Sequence, residues 1–206
     1  MPEAIYKLRR VMETMPKTHK GRNLNAFPSQ YDPRNIKYNN IISLTGYQAT
    51  TATTIDYRPN LPDVFDQGQR GSCVPSAIDW TVKAVDNLSQ GDFPANGFSV
   101  AFHYALCKTI DGLQGQEGTT PLAAMKILQT IGVCPEDIMP YSTLTKLPIP
   151  QVPIVSESAK LAASKYKINS YAQICSPSDK DRSNIINTMR QALINEGPFF
   201  NSYFGL

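Results

Sequence analysis

The chain has 206 residues, of which 41% are hydrophobic, enough for a buried core in one large or two small domains. Its net charge of +3 is small and scattered, and no basic block interleaves with aromatics as in a nucleic-acid groove, so nucleic acid is not an expected partner. No apolar run reaches the ~18 residues of a membrane span, the charged start Met1-Pro2-Glu3 to Arg10 does not read as a signal peptide, and four sparse cysteines without zinc-ligand spacing favour a reducing compartment, with the cytoplasm as default.

From the N-terminus, Ile5, Leu8, Val11, Met12 and Met15 predict a short amphipathic helix over 1–15, ended by Pro16. Residues 16–55 are polar and carry Pro28, Pro33, the pair Asn39-Asn40 and a threonine-rich run at 50–54. That is the composition of extended chain with little core of its own. At Cys73 a helix is predicted, because Val74, Ala77, Ile78, Thr81, Val82, Val85 and Leu88 follow one helical face. Pro75 falls in its first turn, where a missing N–H costs nothing, and Gly71-Ser72 offers a flexible entry and a candidate cap.

A second amphipathic helix over 98–110 carries Phe98, Ala101, Phe102, Ala105, Leu106 and Ile110. A third, over 120–131, carries Leu122, Met125, Ile127, Leu128 and Ile131 and stops at Gly132. Residues 146–155 alternate Pro148, Pro150 and Pro153 with aliphatics, a semi-rigid connector. Polar and apolar residues alternate over 165–171 as in a strand. Ser183 is a candidate cap for a helix over 184–196, and an aromatic strand begins over 198–204.

The stretch Asp66-Gln67-Gly68-Gln69-Arg70-Gly71-Ser72-Cys73 carries the chemistry. A thiol at the positive end of a helix has its pKa lowered and becomes a nucleophile. A glutamine amide six residues earlier can donate to a developing oxyanion. Taken alone, Cys73 fits inert packing on an apolar helix equally well. Asp66 reads as a turn residue. No base accompanies the thiol: His103 reads as a structural histidine of the second helix and His19 as a solvated one. Trp80 lies off the apolar stripe, and exposure or an inter-lobe contact both stay open for it.

These residues resemble the papain-like cysteine peptidases, whose signature is a glutamine, a glycine-containing turn and Gly-Ser-Cys opening a helix. Gln67 matches the family's oxyanion-hole glutamine and Cys73 its nucleophile, at the family's spacing. Glu117-Gly118-Thr119-Thr120-Pro121, then Ile131-Gly132-Val133-Cys134-Pro135-Glu136, then Pro140-Tyr141, and finally Glu196-Gly197-Pro198 follow in the order of the bacterial and viral-type branch. The resemblance spans residues 56–204.

It implies an α+β, two-lobe fold. Residues 56–145 are then a complete helical lobe with the nucleophile, and 146–206 a connector and partial β-rich lobe. Residues 1–55 are a prosegment-like extension that covers the cleft, or a plain surface extension. The implied activity is that of a thiol endopeptidase, or its zymogen, acting on peptide or protein substrates without metal or cofactor. Gly118 would hydrogen-bond extended substrate backbone, while Thr120 and Pro121 would line the pocket for the side chain two before the cut. A plain turn and helix cap is the alternative for these three.

Arg70 stands where the family often has a disulfide cysteine, and Val74 where tryptophan often follows the nucleophile. The family's catalytic histidine and asparagine have no counterpart before Leu206. The resemblance therefore implies a chain inactive by itself: a fragment, a chain completed by a second one, or a non-catalytic papain-like binding or structural protein. A Cys107–Cys134 bridge stays open, and Cys73 is expected to remain a thiol in any active form.

Overall fold

The computed structural model describes residues 18–19, 22–23, 26–30, 32–45, 54–175 and 179–200. The helix expected over 1–15 lies outside them, as does most of the strand expected over 198–204. Among the described residues the helices are α1 (Tyr38–Thr45), α2 (Cys73–Ala77), α3 (Lys83–Gln90), α4 (Val100–Ile110), α5 (Pro121–Thr130), α6 (Ser142–Thr145), α7 (Glu157–Ala163) and α8 (Arg182–Asn195). One π turn, Ile78–Val82, joins α2 to α3.

The centre of the molecule is α4. Ser99 caps it by accepting the Phe102 N–H at 3.1 Å, and its residues from Val100 to Lys108 are all buried. The sequence predicts an amphipathic helix there. The structure instead packs it on every side, with α2, α5 and α6 as neighbours. Phe98, Phe102 and Tyr104 are the largest core side chains, joined by Val74 from α2, Ile78 from the π turn and Leu128 from α5.

The helix beginning at Cys73 is present, but its predicted face holds only in part: Val74 and Ile78 are buried, Thr81, Val82 and Val85 are half-buried, and Ala77 and Leu88 are exposed. A π turn carries an extra residue and so rotates everything after it relative to a 3.6-residue period. Lys83, Ala84 and Asn87 are buried beyond it, while Leu88 is exposed. Lys83 is accommodated by a 2.9 Å contact to Asp86 and by the Phe98 ring beneath its ammonium.

Helix α5 begins with Thr120 as its N-cap and Pro121 as its first residue. It ends where Gly132, at φ 94°, donates its N–H to the Ile127 carbonyl. A Cβ on Gly132 would lie 2.0 Å from the Ala163 carbonyl oxygen, so the glycine lets α7 close against this end. At α8 the cap is Asp181, which accepts the Asn184 N–H at 3.0 Å, and not Ser183.

The α+β expectation is overturned. Among the described residues the only ladder is a hairpin of two residues per strand, β1 (Thr18–His19) against β2 (Arg22–Asn23), with three isolated bridges elsewhere. The strand predicted over 165–171 is a 3-10 turn, Ser164–Tyr166, followed by irregular chain. The reason is the partner it finds. The Ile168 N–H goes to the Leu128 carbonyl, and the Asn169 carbonyl takes the Gln129 amide, so this segment satisfies its backbone on α5.

The N-terminal segment lies on this helical body. The Phe27 N–H donates to the Thr119 carbonyl at 3.0 Å, beside a parallel bridge between Ala26 and Thr119. Ser29 Oγ accepts the Leu122 N–H, and Asp32 meets Lys126 at 3.2 Å. Farther on, Lys37 bridges Gln173, and Thr188 donates to Asn39 Oδ1.

Candidate active site

Cys73 is the first residue of α2 and is half-buried, not sealed in the core. None of the four cysteines forms a disulfide, so Cys107 and Cys134 are separate buried thiols. Ser72, ahead of the helix, makes no side-chain cap. Its hydroxyl is turned instead to the Tyr141 phenol, 2.7 Å away. The Ser76 hydroxyl donates to the Ser72 carbonyl at 2.8 Å.

The turn leading to Cys73 is folded on itself. Asp66 Oδ1 accepts the Gly68 N–H at 2.9 Å, so Asp66 is the turn residue its position predicts. Gly68 sits at φ 57°, a conformation glycine adopts without cost. The Gln67 amide donates one N–H to the Arg70 carbonyl at 2.8 Å.

Arg70 and Glu117 are the residues that sequence reasoning missed. Arg70 is 3% exposed. Its Nη2 meets Glu117 Oε1 at 2.9 Å and the Gln151 carbonyl at 2.6 Å, and its Nη1 donates to the carbonyls of Leu144 and Leu147. The other Glu117 oxygen accepts the Gly71 N–H in a short hydrogen bond. One buried ion pair thus ties the turn before Cys73 to the loop before α5. The two backbones touch, since a Cβ on Gly71 would lie 2.5 Å from the Gly118 nitrogen. The signal was visible in outline: an arginine replacing the family's disulfide cysteine, and an acid beside the loop glycine.

Gly118 is itself engaged inward. Its N–H donates to the Tyr104 hydroxyl at 2.8 Å, and its carbonyl accepts from Lys108 Nζ at 2.9 Å. Those are the groups that the resemblance assigns to substrate backbone. The carbonyl that pairs with an extended segment here is the one on Thr119, and its partner is Phe27. Thr120 Oγ1 accepts the Ala123 N–H at 3.2 Å. Trp80 is a contact within the helical body, stacked on Phe65 at 5.1 Å and lying 2.8 Å from where a Cβ on Gly97 would sit.

His103 is fully buried, as a structural histidine. Its Nδ1 lies 2.8 Å from Asp79 Oδ1 and its Nε2 3.0 Å from the Ala124 carbonyl. Burial opposes charge on the ring, but the Asp79 carboxylate outweighs it and holds the His103 pKa well above its ordinary value. Burial pushes the Asp79 carboxyl up while His103 and Lys83 pull it down. Two acceptors around one ring place the proton on His103. The ring has no nitrogen left to offer Cys73. The side chain of His19 lies outside the described residues.

Two further shifts bear on the turn. Burial pushes the Tyr141 phenol up to about 12, against the opposing hydrogen bond from Ser72. Tyr141 therefore carries its proton at any working pH and donates it to the Gln67 carbonyl at 2.8 Å. Glu136 accepts the Tyr141 N–H at 2.5 Å, and burial raises its carboxyl to about 7. Among the described residues no group of histidines, cysteines and carboxylates is arranged to hold a metal ion, and no helix is long and apolar enough to cross a membrane.

No protein-family model matches the chain, and no curated protein matches it. Among solved structures it is similar to the crystal structure of xylellain, a cysteine protease from Xylella fastidiosa, with a TM-score of 0.59 at 22% identity. The alignment covers 87% of this chain and 66% of that one, so the chain spans just under two thirds of that protein. The likeness establishes a papain-like fold.

Proposed function

We propose that this chain is a papain-like thiol peptidase unit, or its precursor, with Cys73 as nucleophile. The observation that carries the reading is the nucleophile turn. It presents a half-buried thiol at a helix start and folds the Gln67 amide back onto the same turn. In the reaction, the Cys73 thiolate attacks a peptide carbonyl carbon. The S–C bond forms and the carbonyl electron pair moves to oxygen, where the Gln67 amide and the Cys73 backbone N–H receive it. The amine then leaves with a proton from a general acid.

That acid is not His103, which is sealed in the core with both ring nitrogens committed. The reading therefore calls for an imidazole other than His103, one that a second chain could bring. Residues 26–30 fit the place of a prosegment, because Phe27 and Ser29 pair with Thr119 and with Leu122 at the start of α5, beside the loop that the turn before Cys73 is clamped to. Thr120 and Pro121, at the start of α5, remain the proposed lining of the pocket beside that loop.

Alkylation mapped by mass spectrometry tests the nucleophile. Under reducing conditions near neutral pH, a thiol-reactive peptide epoxide is expected to label Cys73 ahead of Cys175, with Cys107 and Cys134 protected. Cys73 reacting no faster than Cys175 would sink the enzyme reading. It would favour a papain-like binding module instead, a reading to which the locked His103 already lends support.

A further inference from the structure

We propose that Tyr141 is a positioning residue for the oxyanion site, its hydroxyl fixing the distance between Gln67 and the N-terminus of the Cys73 helix. The inference rests on the reading above, in which Gln67 and the Cys73 N–H share the oxyanion. Four residues, Gly68 to Gly71, separate Gln67 from Ser72 along the chain. The phenol crosses it. Its oxygen donates to the Gln67 carbonyl at 2.8 Å and lies 2.7 Å from Ser72 Oγ. A phenol has one proton to give, so the Ser72 hydroxyl is the donor in the second bond.

The strut is anchored from behind. The Tyr141 N–H is held by Glu136, and its ring meets Phe65 edge-on at 4.9 Å. Ser72 is fully buried, and its carbonyl is taken by the Ser76 hydroxyl in the first turn of the helix. A displacement of the phenol oxygen is therefore passed to Gln67 on one side and to the residue before the nucleophile on the other. The hydroxyl acts through the two donors, by way of Gln67 and Ser72.

Two reagents separate positioning from general loosening. A peptide aldehyde adds to Cys73 so that an S–C bond forms and the carbonyl π bond breaks. The carbonyl oxygen takes up the thiol proton and occupies the oxyanion site. Iodoacetamide is attacked by the same sulfur with loss of iodide and presents no such oxygen. In Tyr141→Phe the aldehyde dissociation constant is expected to rise about tenfold, less than the roughly 100-fold or more lost when an oxyanion donor is removed outright. Alkylation of Cys73 by iodoacetamide should stay within about twofold, since it follows thiolate content and access.

Ser72→Ala should reproduce the loss, and the double variant should add little to either single one. It also carries the test if Tyr141→Phe folds poorly. Aldehyde binding unchanged in both variants, or aldehyde and iodoacetamide falling together, overturns the inference. A wild-type protein that forms no aldehyde adduct, or a Cys73→Ala variant that binds the aldehyde equally well, overturns the peptidase reading and the inference with it.

Discussion

Arg70 shows how much of this molecule rests on single buried charges. Its guanidinium is almost fully enclosed, and the Glu117 carboxylate neutralises it at 2.9 Å. Removing one partner of such a pair strands the other in a medium that solvates it poorly. Arg70→Met is expected to lower the free energy of unfolding by roughly 3–5 kcal/mol, read from urea denaturation. Arg70→Met/Glu117→Leu should be less destabilised than Arg70→Met alone, because no charge is left unpaired. It should not reach the wild type, since the Gly71 N–H and three carbonyls lose partners. A double variant weaker than the sum of the two singles would contradict this account. The position of Arg70 could be read from sequence, but its role could not, because its partner lies 47 residues away.

At the scale of elements, helices were legible where apolar spacing is regular and caps are local. Thr120-Pro121 opening α5 and Gly132 closing it are both set by residues a few positions apart. Legibility failed at the π turn, which no 3.6-residue periodicity anticipates, and at residues 165–171, whose alternation describes a strand without supplying a neighbour. Among the described residues, the N-terminal segment pairs with Thr119 through the Phe27 backbone N–H. Phe27→Pro removes that donor and adds no charge. If the segment obstructs the cleft, the variant's Cys73 should be labelled several-fold faster by a peptide epoxide, while labelling by small iodoacetamide stays as in the wild type. Equal rates of epoxide labelling would remove residues 26–29 from the role of prosegment.

Over the whole molecule, the shifted groups of the interior favour their protonated forms. Glu136, raised from 4.5 to about 7 by burial, binds its proton more tightly folded than unfolded. Its contribution to stability is complete below pH 4.5 and is lost as pH rises towards 7. His103, also raised, contributes fully below pH 6.5 and loses that contribution as pH climbs through its folded value. The carboxyls of Asp32 and Asp56 have the opposite sign. Hydrogen bonds from Arg34 and Arg58 lower them, so their contribution exists above pH 3.8 and fades as pH falls. The urea midpoint should therefore peak on the acid side of neutrality and decline from pH 5 to 7.5, with a shallower decline in Glu136→Gln. A midpoint that rises across that interval would be the wrong sign. The sequence by itself determined the turn before Cys73, the helix beginning there and the order of the landmarks around it, because each depends on residues close in the chain. Only the tertiary structure decided that Arg70 and Glu117 clamp the turn and that Gly118 faces inward. It also revealed that Tyr141 joins Gln67 to Ser72 and that residues 165–171 rest on α5. Those outcomes are set by which distant groups can satisfy a buried charge or backbone hydrogen bond, and the local pattern of a sequence does not record them.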